Sequence, residues 1–375
     1  MINDPNPFVY SHPVAPEAII NRDSETQKLL QWAVGGHYVR LYGPRKFGKT
    51  SLLGRVLADG AREEGLIPIM VDLYGVLSVT DVTIRIERAY AKQLKGPLRK
   101  KVDVFLKSTG LGLSLGAFGI SARIQTSPAT TPLPALHALL DLPLRLEEGG
   151  GFRALIVFDE FQDIDKVEGM DSLVRSHIQY QGDVASYVFS GSEPGMMNKL
   201  FEDKGRPLYG SAVPMRLDRL GDSECAAYII DRFGASGREV GDSLQPLLNA
   251  ANGHPQRVMH LAHRLWEQVP EGETATFEDW EAALDKAVQE LHHEFAASWR
   301  GFNTNEQKTL RAIIQGEGSP LRTAVLSQLD VEKNTVFYAL QRLGETADVE
   351  TINRKWLIVD PLFEEWIRRL RRQAG

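Results

Sequence analysis

"LYGPRKFGKTSLL" (41–53) decides the fold. It continues the strand-like run HYVRLYG (37–43). It opens a stretch from Thr50 to Ala61 in which Leu52, Leu53, Val56 and Leu57 fall at helical spacing. Within it, Gly43-Pro44-Arg45-Lys46-Phe47-Gly48-Lys49-Thr50 fits G-x-x-x-x-G-K-[ST] without a mismatch. The spacing has a physical cause. Gly43 is expected to let the chain turn sharply out of the strand, and Gly48 to let backbone amides approach phosphates at a helix N-terminus, where the dipole favours anions. Gly43 to Ser51, with Pro44, Arg45 and Lys46 in between, is the expected phosphate cradle. Lys49 is expected to neutralise the β- and γ-phosphates and Thr50 to offer its hydroxyl to Mg²⁺. Phe47 reads as packing.

The next run, LIPIMVDLYGV (66–76), is a buried-strand pattern, so strand, helix and strand form a parallel unit with a crossover helix. Further on, ALIVFDE (154–160) is five apolar residues followed by Asp159 and Glu160. A buried strand that ends in two acids costs solvation energy unless a cation meets them. Asp159 is expected to hold Mg²⁺, directly or through water, and Glu160 to polarise an attacking water as general base. A further apolar strand ends in VFSGS (188–192), where Ser190 or Ser192 is placed to orient that water or to be an ordinary turn serine. Phosphoryl transfer also needs positive charge for its developing oxygens. Arg206, Arg216 and Arg257 are the candidates, each with a surface ion pair as its alternative. Arg257, after Gly-His-Pro, suits a contact in cis, and Arg206, in GRPLYG, suits a neighbouring subunit. GTP selection usually needs N-K-x-D; Asn198-Lys199-Leu200-Phe201 lacks the aspartate, which favours ATP.

The bulk numbers bound the rest. At 375 residues the chain calls for two or three domains. A net charge of -6 excludes a wholly basic nucleic-acid coat, so any such site is a local patch. A single cysteine, Cys225, excludes an internal disulfide framework and points to the cytosol; it reads as a small buried group. The N-terminus lacks a signal-peptide pattern, and no run of 18 apolar residues suggests a membrane span. No zinc pattern is present. The histidines at 254, 260, 263, 292 and 293 read as core or helix-surface residues. Residues 1–18 read as an arm on the surface, 79–107 as a long helix interrupted near Gly96-Pro97, and 212–220 as a fifth strand. LGLSLGAFGISARIQ (111–125) alternates with period two, which predicts a β-hairpin at the domain edge, either sheet padding or a self-association edge.

From 221 to about 300 the pattern is helical. Beyond it, NEQKTLRAIIQGEG (305–318), PLRTAVLSQLD (320–330) and VEKNTVFYALQRLGE (331–345) predict three helices, the first capped at Asn303 or Thr304. Two strands follow around Asn353-Arg354. Three helices and a hairpin make a winged helix. In a DNA reader the third helix would present Lys333, Asn334, Gln341 and Arg342, and the wing Arg354 and Lys355. Residues 305–375 carry 11 Lys/Arg and 10 Asp/Glu, a weak basic balance that leaves a protein partner as the other reading.

"LYGPRKFGKTSLL", "LIVFDEFQDI", "VFSGSEPGMM", "RPLYG" and "DPLFEEW" (360–366) stand in an order that resembles the archaeal-type ATPases, a branch of the AAA+/STAND P-loop proteins similar in layout to origin-recognition-type initiator ATPases. The resemblance spans residues 19–370. It implies an α/β P-loop NTPase core with a parallel sheet, a helical lid and a C-terminal winged helix. It also implies Lys49 and Thr50 as nucleotide and Mg²⁺ ligands and Asp159-Glu160 as the Walker B pair. The expected division is an arm (1–18), a core (19–220) with its inserted hairpin, a lid (221–302) and a winged-helix domain (303–375). The expected function is slow ATP hydrolysis that drives domain rearrangement. The alternative is a nucleotide-holding switch that scaffolds partners. Asn21-Arg22-Asp23 stands where the family often has Gly-Arg-Glu, and Ser211 where it often has arginine. The second departure puts a trans arginine finger, and with it a fast oligomeric motor, in doubt.

Overall fold

The run Ala154–Asp159 (β3) is buried at every position, as is Ala185–Gly191 (β4). Strands covered on both faces read as continuous apolar runs rather than alternations. With Val39–Tyr42 (β1), Ile67–Asp72 (β2) and Val213–Arg216 (β5) they form one parallel sheet in the order β2-β3-β4-β1-β5. The structure, a computed structural model, describes residues 5–108, 115, 132–148 and 151–374. It comprises two units. The first is Arg22–Gly43 with Lys49–Arg216. The second is Met1–Asn21, Pro44–Gly48 and Leu217–Gly375.

The first unit is the sheet with its helices: Asp23–Val34 (α1), Lys49–Glu63 (α2), Val79–Gln93 (α3), Gly96–Ser108 (α4), Pro132–Leu140 (α5), Leu142–Glu148 (α6), Met170–Ile178 (α7) and Pro194–Glu202 (α8). Strand side chains alternate between faces. Ile156, Phe158, Tyr187 and Phe189 share a core with Ile86 and Tyr90 of α3 and Leu136 and Leu139 of α5. On the opposite face, Leu155 lies beside Gly60 of α2. The break expected near Gly96-Pro97 separates α3 from α4. The hairpin expected at 111–125 lies outside the described residues, Leu115 excepted, and the helix after it starts at Pro132.

The second unit is helical: Asp222–Ala235 (α9), Leu244–Ala251 (α10), Pro255–Gln268 (α11), Phe277–Glu290 (α12), His292–Gly301 (α13), Thr304–Gln315 (α14), Thr323–Leu329 (α15), Lys333–Glu345 (α16) and Pro361–Ala374 (α17). Its one hairpin pairs Val349–Ile352 (β6) with Lys355–Ile358 (β7), antiparallel. Asn353 and Arg354 at the turn have φ of 50° and 64°, the pair of left-handed residues that a tight two-residue hairpin requires. Asn303 caps α14 and exchanges hydrogen bonds with Glu306 in a full capping box. One apolar core joins Ile229 and Phe233 of α9, Leu261 and Leu265 of α11, and Leu340 of α16. Phe8, expected on a surface arm, is fully buried in that core.

Candidate functional site: a phosphate loop and two strand-end acids

β1 ends at Tyr42 and α2 begins at Lys49, so the chain has six residues in which to turn and present amides. The left-handed conformation this turn needs falls on Lys46 (φ 66°) and Gly48 (φ 85°), not on Gly43. Gly48 meets that demand without the strain of a side chain. The first turn of α2 contains no acid, which leaves its N-terminal amides favourable to an anion.

Lys49 is almost fully buried, and its Nζ donates to the Gly43 carbonyl at 2.8 Å, closing the loop on itself. Thr50 Oγ1 donates to Asp159 Oδ2 at 2.9 Å. The structure therefore brings together two residues that are 109 positions apart in sequence. Asp159 is the last residue of β3 and is buried. Burial pushes its carboxyl above the ordinary value; the Ser190 and Thr50 hydroxyls and the Lys49 charge oppose this, and neighbouring Glu160 adds to it. Ser190, fully buried, presents its hydroxyl to that carboxyl.

Glu160 follows in the left-handed region (φ 51°, ψ 43°), which turns its side chain away from the strand's own alternation. Its Oε2 accepts from Ser192 Oγ at 2.6 Å and from Gln162 Nε2 at 2.5 Å. Ser190 and Ser192 thus serve different acids. Gln162 was not singled out from the sequence; its position two residues after Glu160 in DEFQD was the available signal.

The arginines fall elsewhere. Arg257, a candidate for a cis contact with nucleotide, is instead buried and bidentate to Asp360, Nε to Oδ1 at 2.9 Å and Nη2 to Oδ2 at 2.5 Å. Arg206, a candidate for a trans contact, is instead paired within its own chain to Asp165 and Asp171, at 2.5 and 3.0 Å. In both cases a carboxylate in the same unit satisfies the guanidinium, so neither is offered to a phosphate in this structure. Arg216 is exposed on β5.

In the second unit, the loop Pro44–Gly48 contributes Lys46, whose Nζ pairs with Glu294 of α13 at 2.9 Å. Phe47 is buried, its ring 4.9 Å from that of His254 in an edge-on contact and 5.8 Å from the Arg219 guanidinium. His254 in turn caps α11, its Nδ1 accepting from the Arg257 amide. Cys225 is fully buried among apolar groups. Among the described residues, no group of three or more His, Cys, Asp and Glu is arranged to hold a metal, and no helix is long and apolar enough to cross a membrane.

On α16, Lys333, Asn334, Gln341 and Arg342 are exposed, as are Arg354 and Lys355 at the hairpin tip. Arg342 Nε reaches Glu306 at 3.1 Å. The same helix also exposes Phe337 and Tyr338, which its sequence period left unassigned.

No family model matches the chain, and no curated protein matches it. Its fold does match solved structures. The Walker-type ATPase PABY2304 of Pyrococcus abyssi superposes with a TM-score of 0.70 at 17% identity, covering 96% of this chain and 99% of that one. The ORC2 protein of Aeropyrum pernix, solved as ADPNP–ADP complexes, gives 0.59 at 13% identity, covering 99% of each chain. The ORC1 protein of the same organism, solved in complex with DNA, gives 0.50 at 14%, covering 97% and 95%. At these identities the likeness is one of fold. The chain has the α/β fold of the P-loop NTPases, which it shares with these three structures.

Proposed function

We propose that the chain is an ATP-binding, Mg²⁺-dependent P-loop ATPase that turns over slowly and passes its nucleotide state to its other domains. One observation carries this: the Thr50 hydroxyl donates to the buried Asp159 carboxylate beside the Lys49 ammonium. The Thr50 hydroxyl and the Asp159 carboxylate, with the buried Ser190 hydroxyl against that carboxylate, are hard oxygen donors of the kind that suit Mg²⁺. Such an ion, when bound, would supply positive charge against the phosphate oxygens. The amides of Gly43 to Ser51 would hold the phosphates and Lys49 would leave the Gly43 carbonyl to meet them. Thr50 and Asp159 would hold the metal. Glu160 would take a proton from the attacking water, with Ser190 and Ser192 fixing the two acids. The ADPNP–ADP complexes of the ORC2 neighbour support adenine nucleotides as the ligand class.

Slow turnover rests on commitments already made. Ser192 and Gln162 hold the Glu160 carboxylate, and Arg206 and Arg257 are tied to acids. These same contacts favour the alternative of a nucleotide-holding switch that scaffolds partners. Phosphate release by wild type, Lys49→Ala and Glu160→Gln tests the proposal. Wild type should release phosphate with Mg²⁺, Lys49→Ala should lose binding, and Glu160→Gln should bind ATP but lose turnover by about 10²-fold or more. Tight binding with no turnover in wild type would select the switch. Equal turnover in all three proteins would overturn the assignment.

For the remaining chain, the reading places a lid at 221–302 and a winged helix at 303–375, in a cytoplasmic protein. The exposed Lys333, Asn334, Gln341, Arg354 and Lys355 suit duplex DNA, and the ORC1 neighbour was solved with DNA. Binding should weaken steeply between about 50 and 200 mM salt if phosphates carry it. No binding at low salt would leave a protein partner or self-association as the use of that surface.

A further inference from the structure

A phosphate loop ordinarily ends in solvent or on its ligand. Here it carries an anchor. Phe47, the next-to-last residue of the loop, is 1% exposed and packs on the His254 ring. The Arg219 guanidinium lies 5.8 Å from the same ring and donates three hydrogen bonds, Nε to Glu350 Oε1, Nη1 to the Asn252 carbonyl and Nη2 to the Val359 carbonyl, each at 2.7 Å. Glu350 belongs to β6, and Val359 follows β7. A single guanidinium therefore links the loop's aromatic ring to β6 and to the residue that follows β7. Beside it, Lys46 is paired with Glu294. Glu294 thus holds a loop lysine that the proposed phosphate would also attract. The Arg45 charge also acts on Asp348, next to β6.

We propose that the loop is a latch on the C-terminal hairpin: an anionic ligand seated on residues 44–48 draws Lys46 from Glu294, shifts Phe47, and loosens the Arg219–Glu350 tie. This rests on the reading that the loop binds nucleotide and names how that site is regulated. The coupling runs both ways, because a ligand that weakens the latch must bind more tightly when the latch is already weak. The two contacts differ in weight. Lys46–Glu294 is an exposed pair whose loss changes affinity only a few-fold. Phe47 is the buried element that transmits movement, since packed contacts rearrange in discrete steps rather than stretching.

The experiment is hydrogen exchange at amides 349–359 of the full chain, with and without saturating ATP–Mg²⁺, alongside a direct measurement of the ATP dissociation constant. In wild type, nucleotide should speed exchange in the hairpin several-fold. In Glu350→Gln the hairpin should exchange quickly from the start and respond little. Glu294→Gln should bind ATP about two- to five-fold more tightly. Should Glu350→Gln prove too unstable to measure, Phe47→Leu supplies the second test, with a weakened hairpin response as its readout. If ATP binds wild type and the hairpin exchanges at an unchanged rate, the latch is wrong and the nucleotide reading stands. A full response retained in both Glu350→Gln and Phe47→Leu also overturns the latch. If no ATP binds wild type, the nucleotide reading fails and the latch with it.

Discussion

Arg257 shows what a single residue reveals and conceals. Its place after Gly-His-Pro at the start of a helix was legible, and so was its charge. Its partner Asp360 is 103 positions away, and no local period points to it. The identities of Lys49, Thr50, Asp159 and Glu160 were legible for the opposite reason: each sits at a strand end or helix start that its own neighbours define. The left-handed turn at Glu160, and its contact with Ser192, 32 positions away, depend on tertiary packing and left no mark in the run of residues. The Arg257–Asp360 pair also yields a prediction. Truncating one partner of a buried, bidentate pair leaves the other charge uncompensated and typically costs about 3–5 kcal/mol. Arg257→Ala should therefore lower the denaturant midpoint strongly, and Asp360→Asn should do so in the same direction. A variant of Arg257 that keeps full stability and loses only ATP turnover would return the residue to the phosphate.

At the scale of elements, the strands were the most legible part. ALIVFD and ASYVFSG are apolar throughout, and only a sheet covered on both faces buries such runs. The C-terminal hairpin was legible because Asn-Arg between two apolar runs marks a tight turn. The arm was not. Residues 1–18 are punctuated by four prolines, so an arm on the surface was expected, yet Phe8 is inserted among Tyr228 and Phe233 at ring separations of 6.3 and 5.5 Å. Asn6 Nδ2 donates to the His263 carbonyl at 3.0 Å, and the His263 ring donates to the Phe8 carbonyl at 2.7 Å, which fixes the segment on α11. One isolated aromatic has no period, so its burial cannot be read from spacing. Phe8→Ala should cost about 3–5 kcal/mol, the range for truncating a buried phenylalanine. Thermal unfolding followed by near-ultraviolet circular dichroism measures it. A shift of less than about 2 °C would mean that the arm contributes little to the helical unit.

For the molecule as a whole, the two units carry titrating groups of opposite sign. In the helical unit, burial drives the His254 ring down to about 3, with Asp360 opposing and Arg257 and Arg219 assisting. Burial likewise lowers His260 to about 4, against the pull of Glu290 and with help from Arg257. A histidine kept neutral in the fold takes up a proton only when the chain unfolds. Stability is therefore complete above about 6.5 and falls as the pH drops towards the folded values. Asp360 would be raised by burial alone, but the charge and hydrogen bonds of Arg257 bring it to about 2. Its contribution is present above the ordinary carboxylate value and is lost below it. In the sheet unit Asp159 runs the other way. Its raised value means that protonation relieves the fold, so acid removes a strain there that a bound cation would remove at neutral pH. Five of the six tryptophans, Trp266, Trp280, Trp299, Trp356 and Trp366, belong to the helical unit and Trp32 to the sheet unit, so tryptophan fluorescence reports mainly the helical one. Between pH 6 and 4.5 the two buried histidines should give a slope of roughly 2 kcal/mol per pH unit in unfolding free energy. Urea midpoints followed by that fluorescence should fall accordingly, and His254→Gln should remove about half of the slope. A midpoint that stays level from pH 7 to 4.5 would show that both rings are reached by water, and the close packing of Phe47 on His254 would then be untenable as well.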